Sequence, residues 1–124
     1  MSLGQLLQSG DWKGEKHVPA IIAPEKIKLG ENVEVKIHVW EEIAHPNTFE
    51  HYIAWIKVFY QPDGHKFPIE IGSYNFSAHG ESDITTEPSV VTYFKPNKCG
   101  KIYAMSYCNI HGLWESSIDL TVEA

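Results

Sequence analysis

Residues 107 to 114 read YCNIHGLW, which places Cys108 and His111 three positions apart beside a glycine. A thiol and an imidazole at that spacing can clasp a metal, activate a nucleophile, or fill space near a turn. Two other short segments carry the same kind of chemistry: EKHVP, residues 15 to 19, holds His17, and HPNTFEH, residues 45 to 51, holds His45 and His51. In an extended strand His45 and His51 would share one face but stand about 20 Å apart, too far for one ion with bonds of about 2 Å. The chain therefore has to curl, and Pro46-Asn47 is the turn signal that supplies the curl. Pooled, the three segments offer four neutral nitrogens and one thiolate. Structural zinc is satisfied by four tetrahedral ligands, so this larger set suits a redox metal, with iron and copper as the candidates. Four nitrogens roughly in a plane with sulfur on one side would leave the opposite side open to a small ligand.

Rival readings of the same residues stay open at this point. A β-sandwich with a late Cys-x-x-His loop and a histidine some sixty residues upstream is also the plan of blue copper electron carriers, which add a weak axial methionine. Here no methionine follows His111, and Met105 precedes the cysteine. A structural metal is a second alternative, and a Cys-His nucleophile pair a third, though nothing in the stretch suggests an oxyanion site. Of the other histidines, His38 falls on the polar side of its strand and His65 sits in a PDGH turn, so both read as solvated; His79 in SAHGES is ambiguous. Cys99 in NKCGK reads as a turn thiol. A strand between the cysteines would hold Cys99 and Cys108 about 30 Å apart, which rules out a disulfide between them.

The elements that must position these side chains read as strands. In NVEVKIHVW, residues 32 to 40, Val33, Val35, Ile37 and Val39 alternate with Glu34, Lys36, His38 and Trp40, the period-two pattern of a half-buried strand. YIAWIKVFYQ runs from Tyr52 into a PDG turn, and FPIEIGSYNF resumes as its hairpin partner. SVVTYFK, KIYAMSYC and SSIDLTVE follow, each rich in β-branched or aromatic residues. Helical periodicity is nowhere sustained. The expected fold is all-β, an immunoglobulin-like antiparallel sandwich of about seven strands. The chain of 124 residues is expected to form a single domain over 1–124, with 1–10 as a flexible or peripheral segment.

Charge and composition narrow the partners. A net charge of -6 with no arginine among the ten basic residues argues against nucleic acid or an anionic membrane surface, both of which select clustered cations. No apolar run approaches the ~20 residues that cross a bilayer, and the N-terminal stretch MSLGQLLQSGDW lacks the basic-then-apolar layout of a secretory signal. The expected compartment is the cytoplasm. Seven histidines in this length point to metal or proton chemistry.

Taken jointly, EKHVP, EIAHPNTFEH, FSAHGES, TEP and YCNIHGLWE, in this order between about Asp11 and Thr121, closely resemble the single-domain superoxide reductases, the neelaredoxin class of the desulfoferrodoxin family. The resemblance implies an immunoglobulin-like sandwich around one mononuclear non-haem iron ion (Fe2+/Fe3+) per chain. It implies His17, His45, His51 and His111 as equatorial ligands and the Cys108 thiolate as the axial one. It further implies Glu15 as the sixth ligand of the oxidised iron and Lys16 as the residue that draws in superoxide. The implied activity is one-electron reduction of superoxide to hydrogen peroxide without release of dioxygen. A rubredoxin-type protein is the implied electron donor, and a homo-oligomer, a tetramer, the implied assembly. Larger relatives carry an N-terminal rubredoxin-like iron domain held by four cysteines; this chain has no such domain, so a second iron is not expected. Ala44 stands where the family commonly has Pro, and Phe49 and Tyr52 replace smaller or polar residues.

Overall fold

The computed structural model describes residues 1–10, 15–39 and 45–124. Eight strands follow one another along the chain: β1 (Ala20–Ile22), β2 (Lys26–Lys28), β3 (Val33–His38), β4 (Ile53–Pro62), β5 (Ile69–Asn75), β6 (Ser89–Phe94), β7 (Gly100–Cys108) and β8 (Gly112–Glu123). Two short 3-10 turns, Leu3–Gln5 and Glu81–Asp83, are the helical elements among the described residues. The strands form a three-stranded sheet, β1-β3-β6, and a five-stranded sheet, β2-β8-β7-β4-β5. The all-β expectation holds, with eight strands in place of about seven. The strands invisible to pattern are β1 and β2, each three residues long, too short for alternation to register.

Alternation decides which side chains fill the sandwich. Val33, Val35 and Ile37 of β3 point inward and are fully buried, while Glu34 and Lys36 between them are exposed. Along β7 the inward row is Gly100, Ile102, Ala104, Ser106 and Cys108, all buried. Cys108 is thus the last inward position before the chain leaves the strand, and strand parity alone delivers its thiol to the end of the core. Burying an aliphatic side chain of this kind contributes about 1.5–3 kcal/mol, and the inward rows of β3, β4 and β7 together make one continuous apolar cluster.

Most strand pairs are antiparallel, and β2 with β8 is parallel. Three residues join β1 to β2 and carry the chain from one sheet to the other, and Thr121 N–H donates to the Glu25 carbonyl at 2.9 Å. The hairpin of β4 and β5 forms as the PDG turn suggests. The last strand differs from its sequence reading. It begins at Gly112 and not near Ser116, so that Leu113, Trp114 and Glu115 already pair with Tyr107, Ser106 and Met105. Gly112 adopts φ +82°, a backbone state that costs glycine little. That residue closes a three-residue hairpin loop, Asn109 to His111, whose ends are the paired Cys108 and Gly112.

Candidate metal centre

Each segment that carries donor atoms is folded by its own polar contacts. Ahead of β1, the carbonyl of His17 accepts from Ser106 Oγ at 3.3 Å, and that of Pro19 accepts from Ser116 Oγ, which lays Glu15 to Pro19 against β7 and β8. In the second segment Thr48 N–H donates to the His51 carbonyl at 2.9 Å, and His51 N–H donates back to Thr48 Oγ1 at 3.2 Å. This tight turn over Thr48 to His51 does the curling that the sequence reading assigned to Pro46-Asn47; Asn47 anchors the segment by donating to the Thr86 carbonyl at 3.1 Å. Asn109 in the hairpin loop joins the second segment to the third. Its Oδ1 accepts from Tyr52 N–H at 2.9 Å, and its Nδ2 donates to the Glu50 carbonyl at 3.0 Å.

The outcome is a convergence of donors. One ligand-type atom from each of His17, His45, His51 and Cys108 lies within 4.8 Å of every other. His111 joins them: its Nδ1 is 2.9 Å from His17 Nε2, 3.2 Å from His51 Nε2 and 3.7 Å from Cys108 Sγ. His45 Nε2 is 3.4 Å from the same sulfur. Two bonds of about 2.1 Å at right angles end about 3 Å apart, so these separations are those of donors sharing one centre. The rings are arranged as a cycle. His17 and His51 stand opposite, with centroids 6.2 Å apart; His45 lies between them at 4.9 and 4.5 Å, and His111 closes the circle at 4.4 and 5.0 Å. A thiolate with four imidazoles is a donor set for a soft or borderline redox ion, and these residues fit one.

Hydrogen bonds at the far nitrogens fix the tautomers. His45 Nδ1 faces the Pro46 carbonyl at 2.5 Å, an acceptor, so that nitrogen carries the proton and Nε2 offers its lone pair toward Cys108. His17 Nδ1 lies 2.6 Å from Glu15 Oε1, which likewise turns Nε2 to the centre. The Glu15 oxygen also accepts His17 N–H at 3.0 Å. Glu15, the sixth ligand by resemblance, is thus bound to a histidine in this structure. The flat face of His17 is covered by Trp114, stacked at 5.0 Å with the planes 15° apart.

Several expected spectators lie elsewhere. His38 Nδ1 pairs with Ser89 Oγ at 2.6 Å, His65 stacks edge-on against Phe67, and His79 stacks on Tyr52 at 3.7 Å while its Nε2 donates to the Phe76 carbonyl. Cys99 and Cys108 are both free, and Cys99 Sγ accepts Val122 N–H at 3.3 Å. Ala44 lies outside the described residues. Sequence reasoning missed Asn109 and Trp114 as supporting residues, although both stand inside the YCNIHGLW stretch; an Asn in a tight loop is the usual signal of side-chain to backbone bonding.

The electrostatics favour the neutral, ligating forms. Burial first, with smaller contributions from the neighbouring His51, His17 and Lys16 and against the opposing Pro46 bond, lowers the pKa of His45 to about 4. Burial likewise lowers His51, helped by His111, His17 and Lys16. Burial pushes Glu15 upward, but its hydrogen bonds from His17 and the charges of His17 and Lys16 outweigh this and leave it lowered. A depressed histidine means that the unfolded chain takes up its proton first as pH falls, so metal-free stability is full above about pH 6.5 and declines toward pH 4. For His45 that decline amounts to about 2–3 kcal/mol. Urea midpoints of metal-free protein at pH 7 and 4.5 should therefore fall with acid, and less steeply in His45→Gln; equal slopes in the two proteins would contradict the assignment.

Comparison with known proteins agrees with this geometry. The Desulfoferrodoxin family model matches residues 9–117. A protein named "Putative superoxide reductase" from Thermotoga maritima is 54% identical over 130 residues, covering 99% of each chain, and a crystal structure under the same name from that organism superposes with a TM-score of 0.96 over 100% of this chain and 99% of the other at 52% identity. The superoxide reductase of Pyrococcus horikoshii is 52% identical over 95% of this chain and 98% of its own. The reduced superoxide reductase (neelaredoxin) of Archaeoglobus fulgidus gives a TM-score of 0.85 at 49% identity, over 94% of this chain and 98% of the other. The strand order, the spacing of the donor segments and these matches over nearly the full length place the chain in the desulfoferrodoxin family.

Proposed function

We propose that the chain is a superoxide reductase holding one iron ion through His17, His45, His51, His111 and Cys108. The observation that carries this reading is the meeting of four imidazole nitrogens and one buried thiol, with neighbouring donor atoms 2.9, 3.2, 3.4 and 3.7 Å apart, from three segments far apart in sequence. When bound, the iron supplies one electron to superoxide, which with two protons becomes hydrogen peroxide and releases no dioxygen. Everything else is the work of side chains. Cys108 is fully buried and its sulfur accepts His111 N–H at 3.4 Å, which stabilises a thiolate in a dry position. Four neutral imidazoles and one thiolate leave a divalent ion about one positive charge, which attracts a small anion.

The protein as a whole is acidic and would repel superoxide, but the screening length at physiological ionic strength is about 8 Å. Lys16 is near enough to depress both His45 and His51, so its field reaches the centre while distant carboxylates are screened. Glu15, now held by His17, has to release Nδ1 to serve as a sixth ligand. The blue copper alternative is not favoured: Met105 has the opposite strand parity from Cys108 and lines a groove with Leu7, Phe59 and Tyr103 on the outer face of the sheet, away from the thiol. A rubredoxin-type donor, a homotetramer and a cytoplasmic setting complete the proposal. Its supports are the family and, among the described residues, the lack of any helix long and apolar enough to cross a membrane.

Metal analysis with an optical spectrum of the oxidised protein tests the reading. Iron with a thiolate-to-ferric band, and peroxide formed without dioxygen from superoxide, are expected; copper or colourless zinc would overturn it. The charged pair ahead of His17 has separable roles. Lys16→Ala is expected to slow superoxide association about tenfold and flatten its salt dependence while metal content stays the same, and unchanged kinetics would remove Lys16 from the mechanism. Glu15→Ala is expected to keep turnover but alter the ferric absorption, so an identical spectrum would remove the carboxylate from the coordination sphere.

A further inference from the structure

Within the N-terminal segment, Gln8 lies against the start of β8. Gln8 forms a parallel bridge with Trp114: its N–H donates to the Leu113 carbonyl at 3.1 Å and its carbonyl accepts Glu115 N–H at 2.8 Å. Its side chain reaches further, with Nε2 donating to the His111 carbonyl at 2.8 Å. The same carbonyl accepts from Trp114 Nε1 at 3.3 Å.

We propose that Gln8 is a positioning residue for the metal centre: by gripping the His111 carbonyl from an N-terminal strap, it fixes the direction in which the His111 imidazole points. The inference rests on the reading of His111 as a ligand. Two features make that carbonyl a useful handle. His111 is exposed, unlike His17 and His45, which are 6% exposed each, so surrounding packing does little to hold its ring. The residue after it is Gly112 at φ +82° with open space where a Cβ would stand, so no side chain at 112 limits the orientation of the 111–112 peptide. A shift of the loop backbone there would carry the imidazole away from His17 and His51. Two donors on one carbonyl select a single orientation. The strap reaches a second ligand through Trp114, which it joins by the backbone bridge and whose indole stacks on His17.

Partners of this kind around a metal ligand are typically worth tenfold or more in metal retention. The test uses iron-loaded protein. Gln8→Ala and Gln8→Glu both remove the amide donor, the latter with little change of shape, whereas Gln8→Lys keeps a donor of similar reach. Transfer of iron to excess chelator is expected to be about tenfold faster in the first two, with a shifted thiolate band, and to return toward the parent rate in Gln8→Lys. Parent-like rates and spectra in Gln8→Ala and Gln8→Glu would overturn the proposal. So would faster loss in all three variants in step with lower melting temperatures of their metal-free forms, which would mark a general loosening. A parent protein that keeps no metal would sink the ligand reading and this inference with it. A parent that keeps iron but leaves superoxide unreduced would sink the function alone.

Discussion

Four imidazoles and a thiol held at 3–4 Å are a constraint that the rest of the molecule has to meet. Lone pairs pointed at one spot repel, and burial lowers the pKa of His45 to about 4 and lowers that of His51 as well, so protonating either ring to relieve the repulsion is costly. A cation at the centre removes the conflict, and the folding energy of the sandwich keeps the donors in place until one arrives.

The sandwich supplies that energy from a part of the molecule the chemistry never touches. Fully buried aliphatics on β3, β4 and β7 form the rigid base, and the three donor segments rise from one end of it. Each is fastened by hydrogen bonds to backbone: Ser106 and Ser116 hold the first, Thr48 the second, Asn109 the link between second and third. The cysteine alone sits on a strand proper, at the last inward position of β7, which makes the sulfur the fixed point and the imidazoles the adjustable ones.

Much of this was legible in the residues because the physics that encodes it is local or periodic. Alternation in 33–39 and the β-branched and aromatic content of 101–108 revealed strands, while the inward aim of Cys108 emerged from the strand's burial pattern. The motifs around His17, His45, His51 and His111, taken jointly, pointed to side chains that the fold does bring together. What escaped had no periodic signature. The three-residue strands β1 and β2 are too short to alternate, and the chain changes sheet between them. The early start of β8 turned on one glycine at positive φ. The curl of 45–51 was expected from Pro46-Asn47, yet it is made by Thr48 bonding to His51, a side-chain to backbone contact that composition does not announce. Gln8 carried no signal at all, because its partner is a backbone carbonyl more than a hundred residues away.

X-ray absorption at the iron edge of metal-loaded protein tests the central claim most directly. The account calls for a first shell with one sulfur at about 2.3 Å and four nitrogens at about 2.1 Å, with the multiple-scattering pattern of imidazole rings. A shell without sulfur, or with two imidazoles or fewer, would contradict it.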